Sequence, residues 1–198
     1  MLRLCCEQID FVTAYLNARL RTTTVYANQP TGFSENDSLV CQLLQAVYGL
    51  RQSGFLWYIK LSQLLLSLGF KPLPDDLSVF IHRPNHEHPH LILIYVDDDL
   101  IIAPTHTAIR HIKERLSAAF QLKDLGAPSK FLGCHLTITD GFINMSQQAY
   151  VDKILMSREC STAGPYPFQC IPRTALLLMS PLYFKMIVKQ TILTHWAN

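Results

Sequence analysis

"HLILIYVDDDLIIAP", residues 90–104, places three consecutive carboxylates, Asp97, Asp98 and Asp99, between two runs of apolar strand formers. "LILIY" enters, "LIIA" leaves, and "VD" is the place to turn, so the stretch predicts a hydrophobic β-hairpin with aspartates at its tip. Paired aspartates on such a turn offer oxygen ligands to a hard divalent cation, Mg²⁺ being the usual occupant. Asp is also a common turn residue, so a solvated β-turn explains the same letters. Side chains alternate faces along a strand, so Asp98 and Asp99 cannot both point at one metal. Asp99 is then expected to face the core, where an unpaired carboxylate is costly and tends to take up a proton.

Outward from the hairpin, the chain reads as globular. Its 198 residues are 49% hydrophobic and 16% charged, enough for one medium domain with a real core and unlike a disordered segment. A formal net charge of +2 argues for neither nucleic acid nor membrane. Arg110, Lys113, Arg115, Lys123 and Lys130 fall within 21 residues, either a phosphate-facing surface or one solvated helix face. Six cysteines show no CxxC or zinc-site spacing, which fits reduced thiols in an intracellular, cytoplasmic protein. The N-terminus lacks a signal-peptide core, and no apolar run is long enough for a bilayer. "HRPNHEHPH" (82–90) carries four histidines, but its prolines and the absence of a helical frame make it a loop.

Local patterns predict strands interleaved with helices. "QIDFVTAYL" (8–16) reads as a strand running into a turn or short helix, and "VYANQPTGF" (25–33) as a short strand before Pro/Gly punctuation. "SLVCQLLQAVYGL" (38–50) is ambiguous between strand and helix. In 53–70, Phe55, Leu56, Ile59, Leu64, Leu65 and Leu68 recur at helical spacing, with Gly69 placed to end the helix. "DLSVFIH" (76–82) resumes strand character. A second helix from Thr107 has Ile109, Ile112, Leu116 and Phe120 on one stripe, basic residues opposite, and Thr105 or Thr107 as cap. Residues 130–146 form a second hairpin about Asp140-Gly141, and Ser146 caps a short helix to 157. Prolines at 165, 167, 172 and 181 interrupt the tail, and no internal repeat is present. The pattern predicts an α+β fold with an antiparallel sheet.

A metal site needs more than the hairpin. Asp10, on an apolar strand 87 residues before Asp97, is the best third ligand if the two strands are neighbours. Three carboxylates on two strands would hold two Mg²⁺ ions of the kind used for in-line phosphoryl transfer.

With these residues assembled, the sequence resembles the reverse transcriptases of copia-type retrotransposons. "QIDFVTAYLNARL" resembles the first aspartate motif, and "VYANQPTGF" and "VCQLLQAVYGLRQSGFLWY" the fingers-to-palm segment. "YVDD" matches the catalytic hairpin, "FQLKDLGAPSKFLGCHL" the approach to the primer grip, and "YFKMIVKQTILTH" the segment beyond. The matches run in order along nearly the whole chain. The resemblance implies a right-hand polymerase palm, its helices packed on one face of the sheet. Residues 1–160 would be palm with part of the fingers (roughly 18–52), and 161–198 a degenerate connection or thumb-like tail.

It also implies roles. Asp10, Asp97 and Asp98 match the catalytic, metal-binding triad, with Mg²⁺ or Mn²⁺ as cofactor. Tyr15 matches the aromatic gate that excludes a 2′-hydroxyl, Gln52 the glutamine beside the incoming nucleotide, and Lys123 a proton donor to pyrophosphate. Phe131, Leu132 and Gly133 match the primer-grip turn, whereas Trp57 and Tyr58 read as core packing. Partners would be an RNA or DNA template with its primer, deoxynucleoside triphosphates and other polyprotein segments, in a cytoplasmic virus-like particle and with no membrane.

The match has departures. Asp99 stands where the family usually has an apolar residue, Phe55 where it has a basic one, and Val12 where it has lysine. Ala18-Arg19 replaces a Gly-Asp-like turn, and the threonines at 22–24 replace acidic residues. Only nine residues precede Asp10, and no RNase H-like or integrase segment follows. These departures raise an alternative: a truncated, degenerate copy that at most binds nucleic acid through its basic helix, salt-dependently and with little sequence preference. Another two-metal palm enzyme, such as a nucleotide cyclase, is disfavoured by the matches at Tyr15, Gln52 and "FLG".

Overall fold

A computed structural model describes residues 4–21, 24–33, 39–84, 88–139 and 142–157. The chain forms two compact units that divide between Pro128 and Ser129.

The first unit is built on a six-stranded antiparallel sheet in the order β4-β5-β6-β7-β1-β8. The strands are β1 (Cys5–Phe11), β4 (Lys71–Pro72), β5 (Val79–His82), β6 (His90–Leu93), β7 (Asp98–Ala103) and β8 (Leu122–Gly126). A 3₁₀ turn (Ala14–Asn17) follows β1, and a separate two-stranded ribbon pairs β2 (Val25–Asn28) with β3 (Val40–Leu43). Among the described residues of the ambiguous stretch 38–50, only Val40–Leu43 is strand, whereas β4 and β8 carry too little apolar alternation to be read from sequence.

Two helices cover one face of this sheet. α1 (Ser53–Ser67) and α2 (His106–Ser117) contribute Trp57, Leu61, Leu65, Ile109, Ile112 and Leu116 to the buried cluster that contains Ile9, Phe11, Ile92 and Ile101. Phe11, Trp57 and Phe120 meet edge-to-face at centroid separations of 5.0–5.9 Å, tying β1, α1 and the chain after α2 together. Thr105 caps α2 by accepting the Ala108 N–H at 3.1 Å. Gly69 takes φ +89° just beyond α1, as its position predicts.

Two details of the helices differ from the sequence reading. On α1 the buried stripe is Ser53, Trp57, Leu61, Ser62 and Leu65, while Phe55 is 65% exposed and Ile59 39%. The helix is apolar over more than one face, so periodicity alone did not fix its rotation. On α2, Lys113 is not on the solvated face with Arg110 and Arg115; it is buried and ion-paired with Glu7 at 2.5 Å and with Asp124.

The second unit pairs β9 (Lys130–Phe131), β10 (Cys134–Thr139) and β11 (Phe142–Ser146) and continues into α3 (Gln148–Ser157). The Ser146 hydroxyl accepts the Gln148 N–H at 3.2 Å at the start of α3. The Asp140-Gly141 turn and the whole 161–198 tail lie outside the described residues.

Candidate active site

The turn between β6 and β7 is strained and held from several sides. Val96 takes φ +63°, a left-handed conformation that a β-branched residue rarely adopts. The Trp57 indole N–H donates to the Val96 carbonyl, the Phe11 N–H to the Asp97 carbonyl at 2.7 Å, and the Asp98 N–H to the Tyr95 carbonyl at 3.1 Å. The apolar runs on either side form the strands, and these bonds fix where the two leading aspartates emerge.

β1 lies beside β7, and the register sets Asp10 directly opposite Asp98. On its other side Asp10 faces Lys123 of β8, whose Nζ lies 3.4 Å from Asp10 Oδ2. Gln8, two residues before Asp10 and therefore on the same face, donates from Nε2 to Asp98 Oδ1 at 2.6 Å. On the turn, Asp97 Oδ2 accepts from the Tyr48 hydroxyl at 3.3 Å. The Tyr48 ring lies 4.4 Å from that of Tyr15 on the 3₁₀ turn. Burial holds the Asp98 carboxyl above its ordinary value, helped by the charges of Asp10 and Asp97 and opposed by the Gln8 hydrogen bond.

Asp99 points the other way. It is opposite Ile9 on the helix-covered face and only 1% exposed. Its Oδ1 accepts the Tyr95 N–H at 3.0 Å, while Oδ2 has no partner among the described residues. Burial therefore pushes this carboxyl well above the carboxylate range, with the neighbouring Asp98 and Asp97 charges adding to the effect.

The donor set on the face opposite the helices consists of hard carboxylate oxygens, which suits Mg²⁺ or Mn²⁺ in kind. Among the described residues, however, no group of three His, Cys, Asp or Glu side chains is gathered as a ready-made metal cage. Each carboxylate instead has a protein partner: Lys123 at Asp10, Tyr48 at Asp97 and Gln8 at Asp98.

The remaining site candidates are more scattered. Gln52 is the residue before α1 and makes no side-chain capping bond. In the second unit, Phe131 is buried and Leu132 and Gly133 turn the chain from β9 to β10 with φ +50° and +76°. Sequence reasoning did not single out Gln8 or Tyr48. Alternation from Asp10 was enough to place Gln8 on the site face. Tyr48 meets Asp97 across 49 residues from an ambiguous segment, and no local pattern signals that contact.

The profile of a family described as "Reverse transcriptase (RNA-dependent DNA polymerase)" matches residues 3–171. The chain is 33% identical over 176 residues to the retrovirus-related Pol polyprotein from transposon RE1 of Arabidopsis thaliana, covering 88% of this chain and 12% of that one. It is 32% identical to the corresponding polyprotein from transposon TNT 1-94 of Nicotiana tabacum, covering 80% of this chain and 12% of the relative. A putative transposon Ty5-1 protein of Saccharomyces cerevisiae is also 32% identical, over 78% of this chain and 50% of its own length. No helix among the described residues is long and apolar enough to cross a membrane. The chain belongs to the reverse transcriptase family in its copia-type branch, as a segment spanning about 12% of the length of the Pol polyproteins it matches.

Proposed function

We propose that this chain is the palm-centred core of an RNA-directed DNA polymerase, extending a primer 3′-hydroxyl with deoxynucleotides on an RNA or DNA template. The observation that carries the reading is the opposition of Asp10 and Asp98 across the β1/β7 ladder, with Asp97 on the adjoining turn. Two neighbouring strands and the turn beside them carry the three carboxylates to which the family resemblance gives the metal. Asp10, Asp97 and Asp98 would hold Mg²⁺, or Mn²⁺ in its place. A bound divalent pair would activate the 3′-hydroxyl and neutralise charge on the departing pyrophosphate.

The rest of the chemistry falls to the chain's own groups. The 3′-oxygen attacks the α-phosphorus, the bond to pyrophosphate breaks, and the hydroxyl proton is lost to water. Lys123, exposed and only loosely paired with Asp10, is free to give a proton to the leaving pyrophosphate. Tyr15, backed by the Tyr48 ring, would close the space beside the sugar C2′ and exclude ribonucleotides. Gln52 would lie beside the incoming nucleotide, and Phe131, Leu132 and Gly133 would seat the primer end. In this reading β2, β3 and their connections belong to the fingers, and other segments of the polyprotein complete the grip on template.

Asp99 favours a second reading, a relic that keeps the outline of the site without its activity, because a buried carboxyl whose Oδ2 has no partner among the described residues sits directly behind the turn. Primer extension on poly(rA)/oligo(dT) with Mg²⁺ and labelled dTTP, beside an Asp97→Asn control, separates the two. Extension lost in the control supports the polymerase. Folded protein that extends nothing supports the relic.

A further inference from the structure

Among the described residues each of the three carboxylates has a protein partner, and the partner of Asp98 differs in kind from the others. Lys123 is 66% exposed at its side chain and Tyr48 is 58% exposed, and both can swing away. Gln8 is 7% exposed and makes the shortest of the three contacts, 2.6 Å from Nε2 to Asp98 Oδ1. Its backbone is fixed on both sides, opposite Leu100 of β7 and Gly126 of β8. The β1/β8 ladder shifts register between Gln8 and Ile9, so an irregularity sits beside the glutamine. Bulges of this sort commonly re-aim a side chain near a functional site. Gly126, opposite, takes φ +68° and carries no side chain to crowd the amide.

We propose that Gln8 is a positioning residue for Asp98, holding one carboxylate oxygen so that the other is presented toward Asp10 and a divalent cation. The inference rests on the metal-binding reading given above. Without a fixed donor, Asp98 would turn from the charges of Asp10 and Asp97 when no cation is present, and binding would require ordering it first. Partners that orient a ligating side chain typically contribute about 10–100-fold to metal affinity. A glutamine amide suits the task because it donates to a carboxylate without adding charge that would repel the cation.

The test is Mn²⁺ binding to the whole chain without nucleic acid, followed by electron paramagnetic resonance, with circular dichroism to confirm folding. Gln8→Met keeps the length and removes the donor; Gln8→Asn keeps the amide but shortens its reach, and serves if the first variant does not fold. Asp98→Asn is the reference for direct ligand loss. The expected result is Mn²⁺ affinity about 10–100-fold weaker in folded Gln8 variants, with Asp98→Asn weakened at least as much. Parental affinity in both Gln8 variants, with loss in Asp98→Asn, overturns the role of Gln8 and leaves the metal site standing. Parental affinity in Asp98→Asn, or no Mn²⁺ binding by the parent, overturns the metal reading and the role of Gln8 with it.

Discussion

Replacing Asp99 by leucine is expected to stabilise the fold, and by an amount that depends on pH. Asp99 is 1% exposed, and its Oδ2 has no partner among the described residues. A buried polar group left without a partner costs about 1–3 kcal/mol. Leucine removes that cost but also removes the acceptor for the Tyr95 N–H, a bond worth about 1 kcal/mol net. The balance favours leucine by about 0–2 kcal/mol where the carboxyl is already protonated in both states. The pH dependence follows from the raised carboxyl of the folded chain. Between the ordinary value of the unfolded carboxyl and the raised folded one, the native state keeps a proton that the unfolded state has released. Stability then falls as pH rises, by about 1.4 kcal/mol per pH unit across that window. Asp99→Leu abolishes this slope, so its advantage grows from acid toward neutral pH. Chemical denaturation at several pH values, supported by thermal melts at about 2–4 °C per kcal/mol, reads both quantities. Asp99→Asn should flatten the slope with less gain, because its amide N–H groups would be buried without acceptors. A gain in Asp99→Leu that is the same at every pH, or no gain, would refute the assignment of Asp99 as a buried, proton-holding group.

Other perturbations follow from the same packing. Lys113→Met removes the cation shared by Glu7 and Asp124 and should destabilise by about 2–3 kcal/mol in urea denaturation: the bond to Glu7 is a charged hydrogen bond worth about 1.5–3 kcal/mol, and the bond to Asp124 adds little because that carboxylate is 57% exposed. Burial opposes ionisation of Glu7, but Lys113 and His106 hold its carboxyl below the ordinary value, and Lys113 does the same for Asp124. Their contribution is therefore present above the unfolded carboxylate values and lost as pH falls through the depressed folded ones. An acid-side stability titration should be flatter in the variant. Trp57→Phe deletes the donor to Val96 and leaves a gap among Phe11 and Phe120; a loss of about 1–3 kcal/mol is expected in the same denaturation assay. Thr105→Ala should cost about 1 kcal/mol through loss of the α2 cap, read from the shift of the melting midpoint.

The sheet and both covering helices were legible in sequence where one physical signal dominated. Alternation about the aspartates put Asp99 on the buried face, and the stripe Ile109, Ile112 and Leu116 oriented α2. Where signals competed, the reading slipped. α1 offered apolar residues on several faces, and the bulky Trp57 with the small Ser53 and Ser62, rather than Phe55 and Ile59, settled which side was covered. Lys113 reads as a solvent residue until tertiary structure supplies two carboxylates, neither of which is close in sequence to the face it shares with them. β8, with "LKDLG", takes strand form from its neighbour β1 rather than from its own pattern. At the site, the pairing of Asp10 with Asp98 followed from two strands being neighbours, whereas the contacts of Tyr48 with Asp97 and Tyr15 depend on how a distant segment folds back.

In the proposed function, carboxylates opposed across β1 and β7 would perform metal-dependent nucleotidyl transfer. Its most direct test is addition of one deoxynucleotide to an annealed primer, comparing the parent with Asp10→Asn and Asp98→Asn, with Mg²⁺ and then with excess EDTA. One-nucleotide extension is expected from the parent with Mg²⁺ and none above background in EDTA or in either folded variant. Extension by Asp98→Asn at the parental rate, or extension that survives EDTA, would contradict it.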